Sequence, residues 1–153
     1  MTKTVITYGT FDMFHVGHLR LIRRLQKMGD RVIIAVSTDE FNRLKGKRVV
    51  IPFEQRIEIV RAISGVDLVI AESSWEQKIR DISDHQVDVF AMGDDWTGEF
   101  DFLSKHCEVR YLERTTGVST TQLKASLTNL LSVPKEEIIA ALEVLDILRK
   151  DFQ

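Results

Sequence analysis

The sequence predicts an α/β protein: a Rossmann-like, doubly wound, parallel five-stranded sheet with helices on both faces, plus a C-terminal helix. Three observations predict it. Short runs of β-branched residues alternate with segments of helical periodicity, the β-α-β-α order of parallel sheets with right-handed crossovers. One run, Arg31-Val-Ile-Ile-Ala-Val-Ser37, is apolar almost throughout, as a strand covered on both faces must be. No repeat or low-complexity linker interrupts the 153 residues, a length that suits one domain with one sizeable core.

Residues 4–8 read as the first strand. Between residues 18 and 28, Leu19, Leu21, Ile22, Leu25 and Met28 recur at helical spacing, and Gly29 supplies a stop. The run 31–37 is the second strand. Pro52 suits the first turn of a helix reaching about Ile63. Residues 67–71 form the third strand. A helix is expected over 75–85, with Trp75, Ile79 and Ile82 on one face. Residues 87–92 and 108–112 are the fourth and fifth strands. A helix over 122–130 follows. Residues 1–131 are expected to form the main domain. Residues 132–153 are expected to form a helical extension of it, with Ser132-Val-Pro-Lys-Glu-Glu137 as a fresh helix start. There Ile138, Leu142, Leu145, Leu148 and Phe152 make an apolar stripe. The stripe suits packing on the domain's own core, a subunit contact or a docking tail.

Bulk properties exclude some classes. The net charge of −2 gives no global basic field, and no basic–aromatic stripe is present, so no nucleic-acid partner is expected. Cys107 is the single cysteine and fits a reducing compartment. No stretch approaches the roughly 20 apolar residues of a spanning helix, and the N-terminus lacks a signal-peptide pattern. A soluble, cytoplasmic protein without membrane insertion is expected.

In open parallel sheets, ligands bind beyond the carboxyl ends of the strands. Three polar loops fall there: residues 9–18, 93–96 and 114–121. In Tyr8-Gly-Thr-Phe-Asp-Met-Phe-His-Val-Gly-His18, His15 and His18 stand three apart around Gly17. On the first turn of a helix, that spacing points both imidazoles the same way. Unpaired backbone N–H groups and the helix dipole favour an anion there. H-x-x-H gives only two metal ligands, and no nearby cysteine completes a set, so no resident metal is expected. Arg114 offers a bidentate fork for phosphate. Ser119, Thr120 and Thr121 open the next helix with hydroxyls and N–H groups, and Gly117 permits the turn before them. Unaided, Lys45-Gly-Lys-Arg48 reads as a mobile, solvated basic turn.

The segment Gly9-Thr-Phe-Asp-x-x-His-x-Gly-His18 resembles the H-x-G-H nucleotidyltransferases. Arg114-Thr-Thr-Gly-Val-Ser-Thr-Thr121 is similar to the R-T-E-G-I-S-T-T motif of cytidylyltransferases. Ser37-Thr-Asp-Glu-Phe41, Trp75-Glu-Gln-Lys78 and Met92-Gly-Asp-Asp-Trp96 further resemble the glycerol-3-phosphate cytidylyltransferase family. The resemblance covers about residues 1–127. It implies transfer of CMP from CTP to glycerol 3-phosphate, with Mg²⁺ carried on the triphosphate and a homodimer as the working state.

The resemblance also implies roles. His15, His18, Arg114 and Lys45 are the catalytic set. Thr10, Phe11, His15, Gly17, His18, Lys47, Arg56, Asp95, Trp96, Arg114, Thr115, Gly117, Ser119, Thr120 and Thr121 line the nucleotide. Lys45 and Lys78 hold the acceptor phosphate, and Asp12 orients its loop. A phosphate nucleophile is already ionised, so positioning and charge stabilisation suffice. Two departures bear on substrate detail. Thr116 stands where the motif has Glu, and Ser64 where a basic residue is expected, with Arg61 one turn back. Alternatives are transfer to another phosphorylated acceptor or from ATP, as in sugar-phosphate adenylyltransferases, and a non-catalytic nucleotide-binding module.

Overall fold

A computed structural model describes residues 1–151 of the chain. Strands β1 (Thr4–Gly9), β2 (Arg31–Ser37), β3 (Leu68–Glu72), β4 (Val89–Gly93) and β5 (Glu108–Leu112) form one sheet in the order β3-β2-β1-β4-β5. Every pairing is parallel. Helices α1 (Val16–Gln26), α2 (Asp39–Leu44), α3 (Phe53–Arg61) and α4 (Gln77–Asp84) connect them. The Rossmann-like α/β expectation is met. The strand order reverses at β1, so the loops after β1 and β4 flank the switch point where such sheets take ligands.

Strand periodicity divides the core into two layers. Val5, Val32, Ile34, Val36, Val89 and Ala91 face Ile22 and Leu25 of α1 and Ile57 and Val60 of α3. Ile6, Tyr8, Ile33, Ala35, Phe90 and Met92 face Ile82 of α4, with Phe100 and Leu103. Alternate residues of β2 are buried on both sides, which explains its unbroken apolar run.

Several boundaries differ from the sequence expectation. Helix α1 begins at Val16, not His18, because His15 is its N-cap. Pro52 precedes α3 as its N-cap instead of lying inside it. Trp75 lies before α4. The Gln77 side chain accepts from the Ser73 and Ser74 N–H groups at 2.6 and 3.1 Å, and this tied turn delays the helix to Gln77. The fourth strand begins at Val89, since Gln86 is left-handed (φ 51°) and Val87 N–H closes on Ile82 O.

Helix α2 adds to the elements that the sequence predicts. Thr38 caps it, and Asp39 and Glu40 fill its first turn. Gly46 (φ 69°) ends it in a Schellman motif: Lys47 N–H reaches Asn42 O and Gly46 N–H reaches Arg43 O. Residues 45–47 are therefore a hydrogen-bonded helix end and not a mobile turn.

By internal contacts the chain falls into two compact units, Met1–Ser119 and one beginning at Thr120. The second holds α5 (Thr120–Leu131), which starts two residues before its expected position, and α6 (Lys135–Asp151). Acids in the first turn of α6 and Arg149 and Lys150 in its last complement the helix dipole. Phe152, the last member of the expected stripe, lies outside the described residues. No described helix is long and apolar enough to cross a membrane.

Candidate active site

The turn after β1 is built by buried polar groups. Phe11 (φ 52°) and Met13 (φ 50°) adopt left-handed backbone that glycine usually supplies. Asp12 between them is 2% exposed. Its carboxylate accepts from the Val50 and Ile51 N–H groups, each at 2.8 Å, and so also fixes the segment ahead of α3. Thr10 donates its hydroxyl to Asn42 Oδ1 at 2.8 Å.

This frame presents the two imidazoles at the N-terminus of α1. His15 Nδ1 accepts from Gly17 N–H at 3.0 Å, and His18 Nδ1 accepts from His15 N–H at 3.3 Å. The rings stack with centroids 3.9 Å apart, and Phe11 and Phe14 flank His18 at 5.3 Å. Burial lowers the pKa of both histidines. It brings His18 down to about 4, with His15 adding to the drop and Asp12 opposing it. Both rings are therefore neutral at pH 7, and with each Nδ1 accepting, each proton sits on Nε2. A Cβ on Gly17 would press to 2.7 Å on the His15 ring, so glycine leaves room for that imidazole to fold over the helix start.

That loop carries the second group. Arg114 pairs with Asp95 at 2.7 Å, tying it to the 3₁₀ turn Asp94–Trp96 after β4. Gly117 (φ 81°) makes the expected turn between Thr115 and Ser119. Thr116, the departure from the acidic motif, is exposed in that turn. Thr120 and Thr121 lie in the first turn of α5, in the second unit.

The lysines and Arg56 are placed otherwise than surface reasoning suggests. Arg56, expected at the nucleotide, is 1% exposed. Its Nε donates to Ile51 O at 2.8 Å, Nη1 to Thr10 O and Ser37 O at 2.6 and 2.8 Å, and Nη2 to Asp39 at 2.7 Å. It clamps the ends of β1 and β2. Lys78 is also 1% exposed and pairs with Glu72 at 2.7 Å, with the Tyr8, Trp75 and Phe100 rings around it. Lys45 folds back beside Ser37 and Glu72, against Phe41 and Trp75. Burial lowers Lys45 to about 8, with Glu72 resisting. Lys47 stands 5.7 Å over Trp96, which is half-buried between Trp75 and Phe100.

Sequence reasoning missed Glu72, Asn42, Asp39 and Asp81. Asp81 accepts from the Tyr8 hydroxyl at 2.8 Å and, with burial, raises the Tyr8 pKa. Asp39 stands inside the Ser37–Phe41 motif without its partner Arg56 being apparent, and the tie of Asp81 to Tyr8 spans 73 residues. Among the described residues, no group of three His, Cys, Asp or Glu stands together to hold a metal ion.

The cytidylyltransferase-like family model matches residues 6–137. A glycerol-3-phosphate cytidylyltransferase of Bacillus subtilis (strain 168) is 53% identical over 128 residues, 84% of this chain and 99% of that one. One of Staphylococcus aureus (strain NCTC 8325 / PS 47) is 54% identical over 125 residues, 82% of this chain and 95% of that one. The solved structure of a lipopolysaccharide core biosynthesis protein from Thermoplasma volcanium GSS1 superposes with a TM-score of 0.67 at 20% identity. It covers 75% of this chain and 99% of its own, and likens the fold alone. With the H-x-G-H turn at the switch point and a match across most of its length, the chain belongs to the cytidylyltransferase-like family.

Proposed function

We propose that this chain is a nucleotidyltransferase that moves CMP from CTP to glycerol 3-phosphate, giving CDP-glycerol and pyrophosphate. The observation that carries the reading is the pair of neutral imidazoles on the α1 N-terminus, each with Nδ1 engaged by backbone. The acceptor and the base follow from relatives that bear this activity in their names over nearly their whole lengths.

A phosphate oxygen of the acceptor attacks the α-phosphorus of CTP. The new O–P bond forms as the bond to the β-phosphate oxygen breaks, and pyrophosphate leaves with that electron pair. No proton need move. His15 and His18 donate from Nε2 to the α-phosphoryl oxygens as charge builds, with the α1 dipole behind them. Neutral donors suit this task, since they need no counter-ion before substrate arrives. Lys45 and Lys47 meet the phosphates from the α2 side, and Arg114 from the β5 side. Asp95 and Trp96 meet the nucleoside. Arg56 acts by holding Thr10 in place.

Mg²⁺ would enter on the triphosphate and neutralise its charge. The described residues suit that division, because the buried Asp12 carboxylate is engaged by the Val50 and Ile51 N–H groups. The same reading carries a cytoplasmic homodimer. Pyrophosphate release, measured with four nucleoside triphosphates against a panel of phosphorylated alcohols, tests the assignment. Turnover is expected with CTP and glycerol 3-phosphate. Turnover with ATP alone would sink it.

A further inference from the structure

Glu72 ends the edge strand β3 yet is 2% exposed. Its carboxylate is shared by two cations. One oxygen is 2.7 Å from Lys78 Nζ; the other is 3.8 Å from Lys45 Nζ and accepts from the Ser37 hydroxyl. Ser37 Oγ in turn accepts from Lys45 Nζ at 3.0 Å. Rings close the cluster: Phe41 lies 4.4 Å from the Lys45 ammonium, and Trp75 lies 4.8 Å from that of Lys78. One anion thus serves two dehydrated cations, and the short contact belongs to Lys78. Lys45 holds the longer one through a hydroxyl bridge, so it retains unspent charge for a phosphate.

We propose that Glu72 is a positioning residue for the transfer: through Ser37 it holds the Lys45 ammonium aimed at substrate phosphate, while Lys78 fixes the carboxylate from its other oxygen. This rests on the reading of Lys45 as a phosphate contact. Lys45 otherwise faces cations, namely Lys47 beyond α2, Arg56 on α3 and Lys78 on α4. Asp39 is committed to Arg56, and Asp81 to Tyr8 and Gln77. Without the Glu72 charge, burial and those neighbours drive the proton off Lys45 at lower pH.

The test follows lysine side-chain titrations by ¹³C NMR, beside the pH profile of kcat/KM for glycerol 3-phosphate. In the wild-type chain one lysine should titrate near 8, and Lys45→Arg should abolish that signal. In Glu72→Gln that titration and the basic limb of the profile should fall together by about one pH unit or more. At pH 8, kcat/KM for the acceptor should drop about tenfold, with KM for CTP held within about twofold. Glu72→Asp, which keeps the charge, should restore most of the limb. An unmoved Lys45 titration in Glu72→Gln overturns the proposal. Should that variant not fold, Ser37→Ala cuts the bridge but keeps the charges, and an unmoved Lys45 titration there overturns the proposal equally. Absence of turnover in the wild-type chain would remove the proposed reaction, yet the titrations would still decide whether Glu72 holds the Lys45 charge.

Discussion

The histidine turn over α1 and the lysine cluster beneath Trp75 both keep polar groups out of water, by opposite means. The histidines shed their charge: burial lowers both, and a backbone N–H group occupies Nδ1 of each ring. The cluster keeps its charge and spends a carboxylate on it. A neutral donor needs no partner when no substrate is bound, whereas a buried ammonium does. The first solution fits in a short run of consecutive residues. The second gathers Ser37, Lys45, Glu72 and Lys78 from separate elements.

Arg56 offers the largest effect with which to break that contrast. Arg56→Ala would take a donor from the carbonyls of Thr10, Ser37 and Ile51, of which Ser37 keeps only the longer bond from Asn42 at 3.4 Å, and each buried loss costs about 1–3 kcal/mol. A fall in unfolding free energy of about 3–5 kcal/mol is expected in urea titrations. A loss below ~1 kcal/mol would mean that the clamp is dispensable.

His18→Ala should act on rate instead. One lost transition-state donor corresponds to about 10²-fold in kcat or more in the folded variant. Unchanged kcat in the folded variant would contradict the donor role.

A single titration sharpens the contrast most directly. His18 should titrate by NMR near 4. The unfolded state takes up its proton first, at the ordinary histidine value of about 6.5. Stability contributed by His18 is therefore whole above that pH and drains away as pH falls towards 4. A His18 midpoint near 6.5 would place the ring in water.

The same contrast explains what can be read from sequence. Strands β1, β2 and β4 are legible because burial on both faces writes itself as apolar runs, the edge strands β3 and β5 from their short β-branched cores, and the histidine turn because its parts are neighbours in the chain. Helix α2 carries only short signals, a Thr-Asp-Glu start and a glycine stop, since six residues are too few to show periodicity. Nothing in the sequence marks Arg56 and Lys78 as buried, because charged side chains usually stay in water. Their burial depends on Asp39 and Glu72, whose pairing no local pattern announces. The spacing of Trp75 suits a helix, but a side-chain tie from Gln77 decides otherwise.

The strand order has a consequence for how the chain is made. Strand β1 is central in the finished sheet and pairs with β4 through Val5 and Ile6. It is synthesised first, and β4 follows roughly 80 residues later, about 4–16 s at typical elongation rates of ~5–20 residues per second. During that interval β1 is an edge, with an unsatisfied row of amides beside an apolar face. The nascent chain thus meets its greatest risk of mispairing at the very strand that later carries the histidine turn.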